Sequence, residues 1–287
     1  MKTFPSYVDL EFSARCNLKC GFCFGPVDNP SIPDIGFEFW ADLLGALSSR
    51  GCIGIVISGG EPTLYPHLRD LLARAKSLGL KTVLSTHGRH ENRLMEVLKF
   101  CDWIALPVDG AIPESLRTLR GDGWGLKEAV ALARKLKIHS GNSVRIKLGT
   151  VATRKNCADV ILLAGDILTL PEIPFDTWKI YQYTPRRKFA GQREIYEISD
   201  DTFNALSIDV WKTGVCERIN TVFSSCSLRR RAYLFVYPDG TLAIPNEGDD
   251  FSDIKIGNVA TEGLGVLDCV GDYSLFSNCG NFEATYG

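Results

Sequence analysis

The sequence has no apolar run that approaches the ~20 residues needed to cross a bilayer. Its first residues, 1–6, contain no apolar core of the kind that defines a secretory signal peptide. A net charge of −2 gives no positive field for a nucleic acid polymer or an anionic membrane. These absences predict a cytoplasmic protein whose partners include no nucleic acid polymer and no membrane.

A zinc site typically has two short pairs of cysteines. The sequence has ten cysteines, but only one group of them is closely spaced. That group is Cys16, Cys20 and Cys23, with spacing C-x3-C-x2-C after a strand-like run. Three thiolates are one fewer than the four that normally enclose an iron–sulfur cluster. A cluster held by three cysteines keeps one iron open to an outside ligand, which favours a redox enzyme over an electron carrier.

Residues 16–23, Cys-Asn-Leu-Lys-Cys-Gly-Phe-Cys, resemble the signature of the radical S-adenosylmethionine (SAM) superfamily. The resemblance implies one [4Fe–4S] cluster ligated by Cys16, Cys20 and Cys23, with the amine and carboxylate of SAM on the open iron. It also implies a flavodoxin- or ferredoxin-type reductant. An electron from the cluster would then cleave SAM to methionine and a 5′-deoxyadenosyl radical, which takes a hydrogen atom from a small-molecule substrate.

A second motif, residues 58–62 (Ser-Gly-Gly-Glu-Pro), follows the second predicted strand and resembles the GGEP element of the same family. Glycines at this point permit a sharp turn and a close approach of the backbone to a ligand. The resemblance implies that Glu61, with Gly59 and Gly60, anchors the ammonium group of SAM. The alternative is an ordinary turn with a solvated glutamate.

Further candidates for SAM contacts lie where later strands end, although a local turn or cap role is the alternative for each polar one. His87 is a separate case, because it fits a proton donor, a substrate ligand or a packed turn residue. The polar candidates are Ser85 and Thr86 for the ribose or carboxylate, Arg120 for the methionine carboxylate, and Asp109 at a strand edge. The resemblance adds Phe22 and Val151 beside the adenine.

Short apolar runs alternate with helical segments along the chain. Strands are predicted at 7–13, 53–58, 81–86, 103–108, 144–151 and 177–183, and helices near 37–50, 66–78, 91–100, 124–137 and 157–168. This alternation predicts an α/β fold, either a parallel barrel or a doubly wound sheet, with function at the carboxyl ends of the strands. The resemblance implies a partial (β/α)6 TIM-type barrel over residues 1–185.

Residues 186–287 are predicted to form a small α+β extension that covers the barrel opening. A helix is expected near Ser199, and a β-hairpin around Asp239-Gly240. The segment resembles a degenerate SPASM or twitch extension, because Pro245 stands where that pattern has a cysteine. One cluster is therefore expected. The alternative is an auxiliary cluster drawn from Cys216, Cys226, Cys269 and Cys279.

The substrate and the outcome of hydrogen abstraction stay open at this point. A compact polar metabolite (an aminosugar, sugar or nucleotide) is the preferred substrate class, by diffuse similarity to aminosugar epimerases and dehydrogenases. Epimerisation needs a hydrogen donor, for which Cys226 and Cys269 are candidates; a buried structural cysteine is the alternative.

Three other functions are considered. Similarity to viperin-like enzymes, up to about residue 245, implies dehydration of a nucleoside triphosphate. In that case the basic residues at 186–188 and 229–231 would clamp phosphates. A peptide-modifying enzyme is less expected, because no residues before Tyr7 are spare for a leader-binding module. The last alternative is a non-catalytic iron–sulfur electron carrier.

Overall fold

The computed structural model describes residues 4–25, 35–121, 123–186, 191–229, 233–245 and 253–270. The first six strands start and end within two residues of the predicted positions. The strands are β1 (Tyr7–Glu11), β2 (Gly54–Ser58), β3 (Lys81–Ser85), β4 (Trp103–Pro107), β5 (Arg145–Ala152), β6 (Thr177–Gln182), β7 (Asn220–Ser224), β8 (Phe235–Val236), β9 (Thr241–Pro245) and β10 (Asp253–Asn258).

Five of the described helices follow the predicted segments closely, a sixth begins near Ser199 as expected, and three were not predicted. The described helices are α1 (Phe37–Ser49), α2 (Leu68–Ser77), α3 (Glu91–Val97), α4 (Pro113–Arg120), α5 (Leu126–His139), α6 (Cys157–Leu168), α7 (Arg193–Tyr196), α8 (Asp200–Lys212) and α9 (Cys226–Arg229). The predicted cap of α8 is confirmed, since the Ser199 hydroxyl accepts the Thr202 N–H at 3.1 Å. Helix α4 was not predicted, because its eight residues bury only Leu116 and Leu119.

One sheet contains all ten strands, in the order β10-β9-β8-β1-β2-β3-β4-β5-β6-β7. Strands β1 to β6 are parallel and adjacent in chain order, which confirms the α/β fold and the partial barrel. Strand β7 was not predicted, and it adds a further parallel strand beside β6. The predicted hairpin is confirmed, since β8 pairs antiparallel with β9.

Leucines at helical spacing fix the helices to the sheet. Helix α2, for example, buries Leu68, Leu71, Leu72 and Ala75, and its charged residues face outward. Because the strands are parallel, the segments that follow β1 to β6 all meet at one rim of the sheet. A boundary near residue 185 stays a prediction, because strands on both sides of it share the sheet. Among the described helices, none has the length and apolarity to span a bilayer.

Candidate active site

The loop after β1 and the turn after β2 are joined by backbone hydrogen bonds. Gly60 N–H donates to the carbonyl of Ser13 at 2.8 Å, and Glu61 N–H donates to that of Arg15 at 2.7 Å. A Cβ at Gly60 would lie 2.1 Å from the Arg15 oxygen, so only glycine permits this approach. The two sequence motifs therefore form one structural unit at the rim.

The three motif cysteines line a single cavity at this rim. Cys20 is buried, whereas Cys16 and Cys23 are partly exposed. The Leu18 N–H donates to Cys16 Sγ and the Gly25 N–H donates to Cys23 Sγ, each at 3.4 Å. Burial raises the pKa of the Cys23 thiol to about 12, so the thiolate forms there when a metal binds.

The spacing of the cysteine sulfurs fits a cluster better than a single ion. Zinc–sulfur bonds of about 2.3 Å place the sulfurs of a tetrahedral zinc site about 3.8 Å apart. Within the described residues, only Glu61, His87 and His90 bring three ligand atoms to within 4.8 Å of one another. The three cysteine sulfurs therefore do not all lie within 4.8 Å of one another. That wider spacing, together with backbone N–H donors to sulfur, suits a multi-iron cluster.

The Glu61 carboxylate lies beside the cysteines and is only 1% exposed. Its Oε1 accepts hydrogen bonds from the Thr63 N–H at 3.1 Å, the Thr63 hydroxyl at 2.5 Å and the Thr86 hydroxyl at 2.6 Å. Its Oε2 accepts the His87 N–H at 2.8 Å. Glu61 thus fixes the turns after β2 and β3 to each other, in addition to facing the cavity.

His87 takes the position of a packed turn residue. Burial lowers its pKa to about 4, so the imidazole is neutral near pH 7. Nδ1 accepts the Arg89 N–H at 3.0 Å, which places the ring proton on Nε2, 2.8 Å from Asn17 Oδ1. His87 therefore joins the turn after β3 to the cysteine loop.

Arg120, at the end of α4, also contacts the cysteine loop. Its Nε donates to Asp109 Oδ2, and its Nη1 lies 3.9 Å from Cys20 Sγ. Its guanidinium carbon is 5.2 Å from the centre of the Phe22 ring. Asp109 is fully buried and also accepts the Val151 N–H at 2.7 Å, so it lies behind Arg120 and not at the cavity surface.

We call this space the cluster-side cavity; its volume is about 250 Å³. Most of the residues predicted to contact SAM lie around it. They are Gly59, Gly60, Glu61, Ser85, Thr86, Arg120 and Val151, together with the three cysteines. Phe22 instead lines a second space, the inner cavity, of about 310 Å³. The two cavities share lining residues, among them Arg120, Val151 and Tyr181, so they adjoin each other.

Three buried cations surround Tyr181 in the inner cavity, and we call them the basic wall: Lys147, Lys179 and Arg229. Lys147 Nζ donates to the Tyr181 hydroxyl at 3.0 Å, and Lys179 Nζ lies 5.2 Å from the ring centre. Burial, with Lys147 and Arg229 nearby, lowers the pKa of Lys179 well below its usual value. Sequence reasoning missed this wall, although a lysine inside the apolar pattern of β5, and another inside β6, was the available signal.

Two carboxylates also line the inner cavity, and Asp9 is near enough to Lys147 for the two charges to interact. Asp9 and Glu11 extend from β1, and the Ser58 hydroxyl donates to Asp9. Burial raises the pKa of the Asp9 carboxyl to about 7, although Ser58 partly opposes this shift. The cavity therefore offers basic side chains to an anionic group and carboxylates to hydroxyl or amino groups.

The raised pKa of Asp9 predicts a pH-dependent stability. A buried carboxyl with a folded pKa near 7 and an unfolded pKa near 3.9 contributes stability that is full below about pH 4 and is lost as the pH rises through 7. Asp9→Asn removes this loss. In urea unfolding, we expect the variant to gain roughly 1 kcal/mol or more relative to the wild type between about pH 5 and pH 8. Parallel pH profiles for the two proteins would contradict the assignment.

Within the described residues, the cysteines outside the rim motif form no group of three that could share a metal ion. Cys216 precedes β7 and Cys226 follows it, so about 17 Å of strand separates them and they cannot share a cluster. Cys269 is exposed next to Asp268, which pairs with Arg50 at the opposite rim. The remaining cysteine of the proposed auxiliary set, Cys279, lies outside the described residues.

Cys226 lies just behind the inner cavity. Its Sγ is 3.2 Å from the Thr184 hydroxyl and 3.5 Å from Arg229 Nη2, and both of those residues line the cavity. Of the two candidate hydrogen donors, the structure therefore brings Cys226 to the site, whereas Cys269 is at the other rim.

The predicted phosphate clamp is only partly described. Arg186 pairs with Asp253 at 2.9 Å, and Arg229 donates to the carbonyls of Ser224 and Gln182. Arg186 is therefore a structural residue at the hairpin, and Arg229 is held rigidly as part of the basic wall. The other four basic residues, Arg187, Lys188, Arg230 and Arg231, lie outside the described residues.

The family model described as the Radical SAM superfamily matches residues 10–164, which include both rim motifs. The chain belongs to the radical SAM superfamily. It is therefore an enzyme, and its cofactors are the [4Fe–4S] cluster and SAM of that family. The three rim cysteines supply a donor set that fits this cluster.

Relatives within the superfamily differ in their reactions. The chain is 26% identical over 208 residues to an S-adenosylmethionine-dependent nucleotide dehydratase from Flammeovirga pacifica, covering 69% of each chain. It is 28% identical over 160 residues to the PqqA peptide cyclase of Rhizobium meliloti, covering 54% of this chain but only 42% of the cyclase. The SAM-bound crystal structure of Streptococcus suis SuiB shares the fold, with a TM-score of 0.73, 19% identity and coverage of 96% of this chain and 67% of SuiB.

Proposed function

We propose that this radical SAM enzyme abstracts a hydrogen atom from a small polar metabolite that carries a phosphate group, such as a nucleotide or a sugar phosphate. The observation that supports this proposal is the basic wall. Three basic side chains, each at most 5% exposed, lie around one ring in a cavity that adjoins the cluster-side cavity. A bound phosphate would offset both their desolvation and their mutual repulsion.

The residues of the cluster-side cavity would hold the cofactors. Cys16, Cys20 and Cys23 are the proposed cluster ligands, and Glu61 is the proposed partner of the SAM ammonium. When bound, the cluster supplies the electron that cleaves SAM, and a flavodoxin- or ferredoxin-type protein is the proposed reductant. The walls of the inner cavity would orient the substrate, with its phosphate at the basic wall and its hydroxyl or amino groups toward Asp9.

Two outcomes of hydrogen abstraction are compatible with this site. Nucleotide dehydration is supported by the similarity to the dehydratase from Flammeovirga pacifica. Epimerisation or dehydrogenation of a sugar or aminosugar is supported by the two carboxylates of the cavity, which suit hydroxyl and amino groups. Cys226, behind the Thr184 and Arg229 side chains, is the proposed hydrogen donor for an epimerisation.

The test uses anaerobically reconstituted enzyme with SAM, a reductant and pairs of compounds that differ only in a phosphate. Nucleotides are compared with their nucleosides, and sugar phosphates with their sugars. We expect 5′-deoxyadenosine to rise above the substrate-free background with at least one phosphorylated member and not with its unphosphorylated partner. Equal yields within every pair, or a response only to peptides such as the precursor bound by SuiB, would overturn the proposal.

Lys179→Met is expected to separate substrate binding from stability. Removing one partner of a buried charge pair costs about 2 kcal/mol or more, which corresponds to about a thirtyfold rise in KM for the phosphorylated substrate. The ligand-free variant should unfold at a higher temperature than the wild type, because it lacks an amine whose charged form is disfavoured by burial and by the neighbouring Lys147 and Arg229. Lys155→Met, at an exposed turn position, is the matched control and should change neither quantity. An unchanged KM in Lys179→Met would remove the basic wall from substrate binding.

A further inference from the structure

The Asp109–Arg120 ion pair lies beside the proposed cluster ligands. Arg120 Nη1 is 3.9 Å from Cys20 Sγ, and its side chain is only 14% exposed. The guanidinium also packs over the Phe22 ring, at 5.2 Å, between two of the cysteines in the sequence. A buried positive charge therefore lies directly beside a thiolate of the cluster site.

The carboxylate that holds Arg120 is itself firmly fixed. Asp109 is fully buried, accepts the Val151 N–H with Oδ1 and pairs with Arg120 through Oδ2. The Asn156 side-chain amide donates to the Asp109 carbonyl at 2.6 Å and to that of Val151 at 2.9 Å. Asp159 Oδ1 accepts the N–H groups of residues 111 and 112, both at 2.9 Å. The start of α6 thus holds the loop that positions Arg120.

We propose that Arg120, positioned by Asp109, raises the reduction potential of the [4Fe–4S] cluster through its charge and its N–H contact with Cys20. Reduction adds one electron to the cluster, and a nearby cation stabilises the added negative charge. Hydrogen bonds to sulfur and net charge are the two main protein contributions to the potential of such clusters. This inference rests on the assignment of Cys16, Cys20 and Cys23 as cluster ligands.

The role is distinct from pairing with the SAM carboxylate, because it acts without SAM. It predicts that the potential of the wild-type cluster is already raised before SAM binds. Asp109 moderates the effect, because the carboxylate offsets part of the Arg120 charge. Arg120→Gln removes the charge, whereas Arg120→Lys keeps a charge but loses the planar array of N–H donors.

The test is a redox titration of the reconstituted proteins, in the absence of SAM and substrate, followed by paramagnetic resonance of the reduced cluster. We expect Arg120→Gln to lower the reduced-to-oxidised ratio at a fixed applied potential about tenfold, which is 59 mV for a one-electron couple. Arg120→Lys should give a smaller shift in the same direction. Arg117→Gln, an exposed position on the same helix, is the matched control and should give none.

Iron and sulfide content are measured for each variant. If Arg120→Gln binds too little iron for a titration, the inference is tested with Arg120→Lys and Asp109→Asn. Asp109→Asn is expected to raise the potential, because the positive charge of Arg120 loses its counter-ion. Wild-type potentials in these variants, or a potential raised in Arg120→Gln, would overturn the inference. The redox titration does not depend on the substrate, so its outcome is independent of the assay with phosphorylated and unphosphorylated compounds.

Discussion

Replacing Cys20 by alanine is expected to abolish cluster binding and reduce SAM cleavage to background. Cys20 is the most buried of the three rim cysteines, and its sulfur lies beside Arg120 at the centre of the site. With one exchangeable corner already left for SAM, two remaining thiolates cannot enclose a four-iron cluster. Cluster binding is measured by iron and sulfide analysis and by the visible absorption of the reconstituted protein. SAM cleavage is measured by the formation of 5′-deoxyadenosine.

Cys101→Ala is the matched control for that experiment. Cys101 is also buried, but its sulfur lies 3.6 Å from the Val97 carbonyl, remote from the rim motifs. We expect it to retain full iron content and SAM cleavage, with a loss of roughly 1 kcal/mol in the free energy of unfolding. If Cys20→Ala instead binds four irons per chain, the cluster has a different ligand set and the proposed site is wrong.

Glu61→Gln is expected to weaken SAM binding and destabilise the fold at the same time. Hydrogen bonds to a charged group contribute about 1.5–3 kcal/mol, so loss of the carboxylate should weaken the affinity for SAM by about tenfold to a hundredfold. The new amide group also faces donors from Thr63, Thr86 and His87. We therefore expect the free energy of unfolding to fall by about 1–3 kcal/mol. Calorimetric SAM titration and urea unfolding measure the two effects.

Two further variants separate these effects. Thr86→Val removes one donor to Glu61 without changing its charge, so it should lower stability while leaving most of the affinity for SAM. Glu96→Gln, at an exposed carboxylate, should change neither quantity by more than about 0.5 kcal/mol. Wild-type SAM affinity in Glu61→Gln would show that the carboxylate is a structural brace and not the partner of the ammonium.

The strands and the two rim motifs could be predicted because each depends on local pattern. A buried parallel strand is a short apolar run, and the cysteine spacing and the Gly-Gly-Glu turn are contiguous in sequence. Strand β7 was missed because Asn220 and Thr221 interrupt its apolar pattern. Its position depends on pairing with β6, which no local signal reports.

The basic wall could not be predicted as a unit, because its members come from three elements far apart in sequence. Lys147 lies on β5, Lys179 on β6 and Arg229 on the short helix α9. Basic triplets in the sequence instead drew attention to residues 186–188 and 229–231. Of the two that belong to the described residues, Arg186 forms an ion pair with Asp253 and Arg229 lines the cavity. Burial alone does not distinguish the two groups, because Arg186 is as buried as the members of the basic wall.

The backbone bonds between residues 13–15 and residues 60–61 have a consequence for damage to the enzyme. They couple the loop of the proposed cluster ligands to the turn that would receive the methionine end of SAM, so movement of one is expected to disturb the other. Oxidative loss of iron should therefore lower the affinity for SAM and expose the segment before Cys16 to proteases. Excess SAM, in turn, should slow the decay of the metal centre in air.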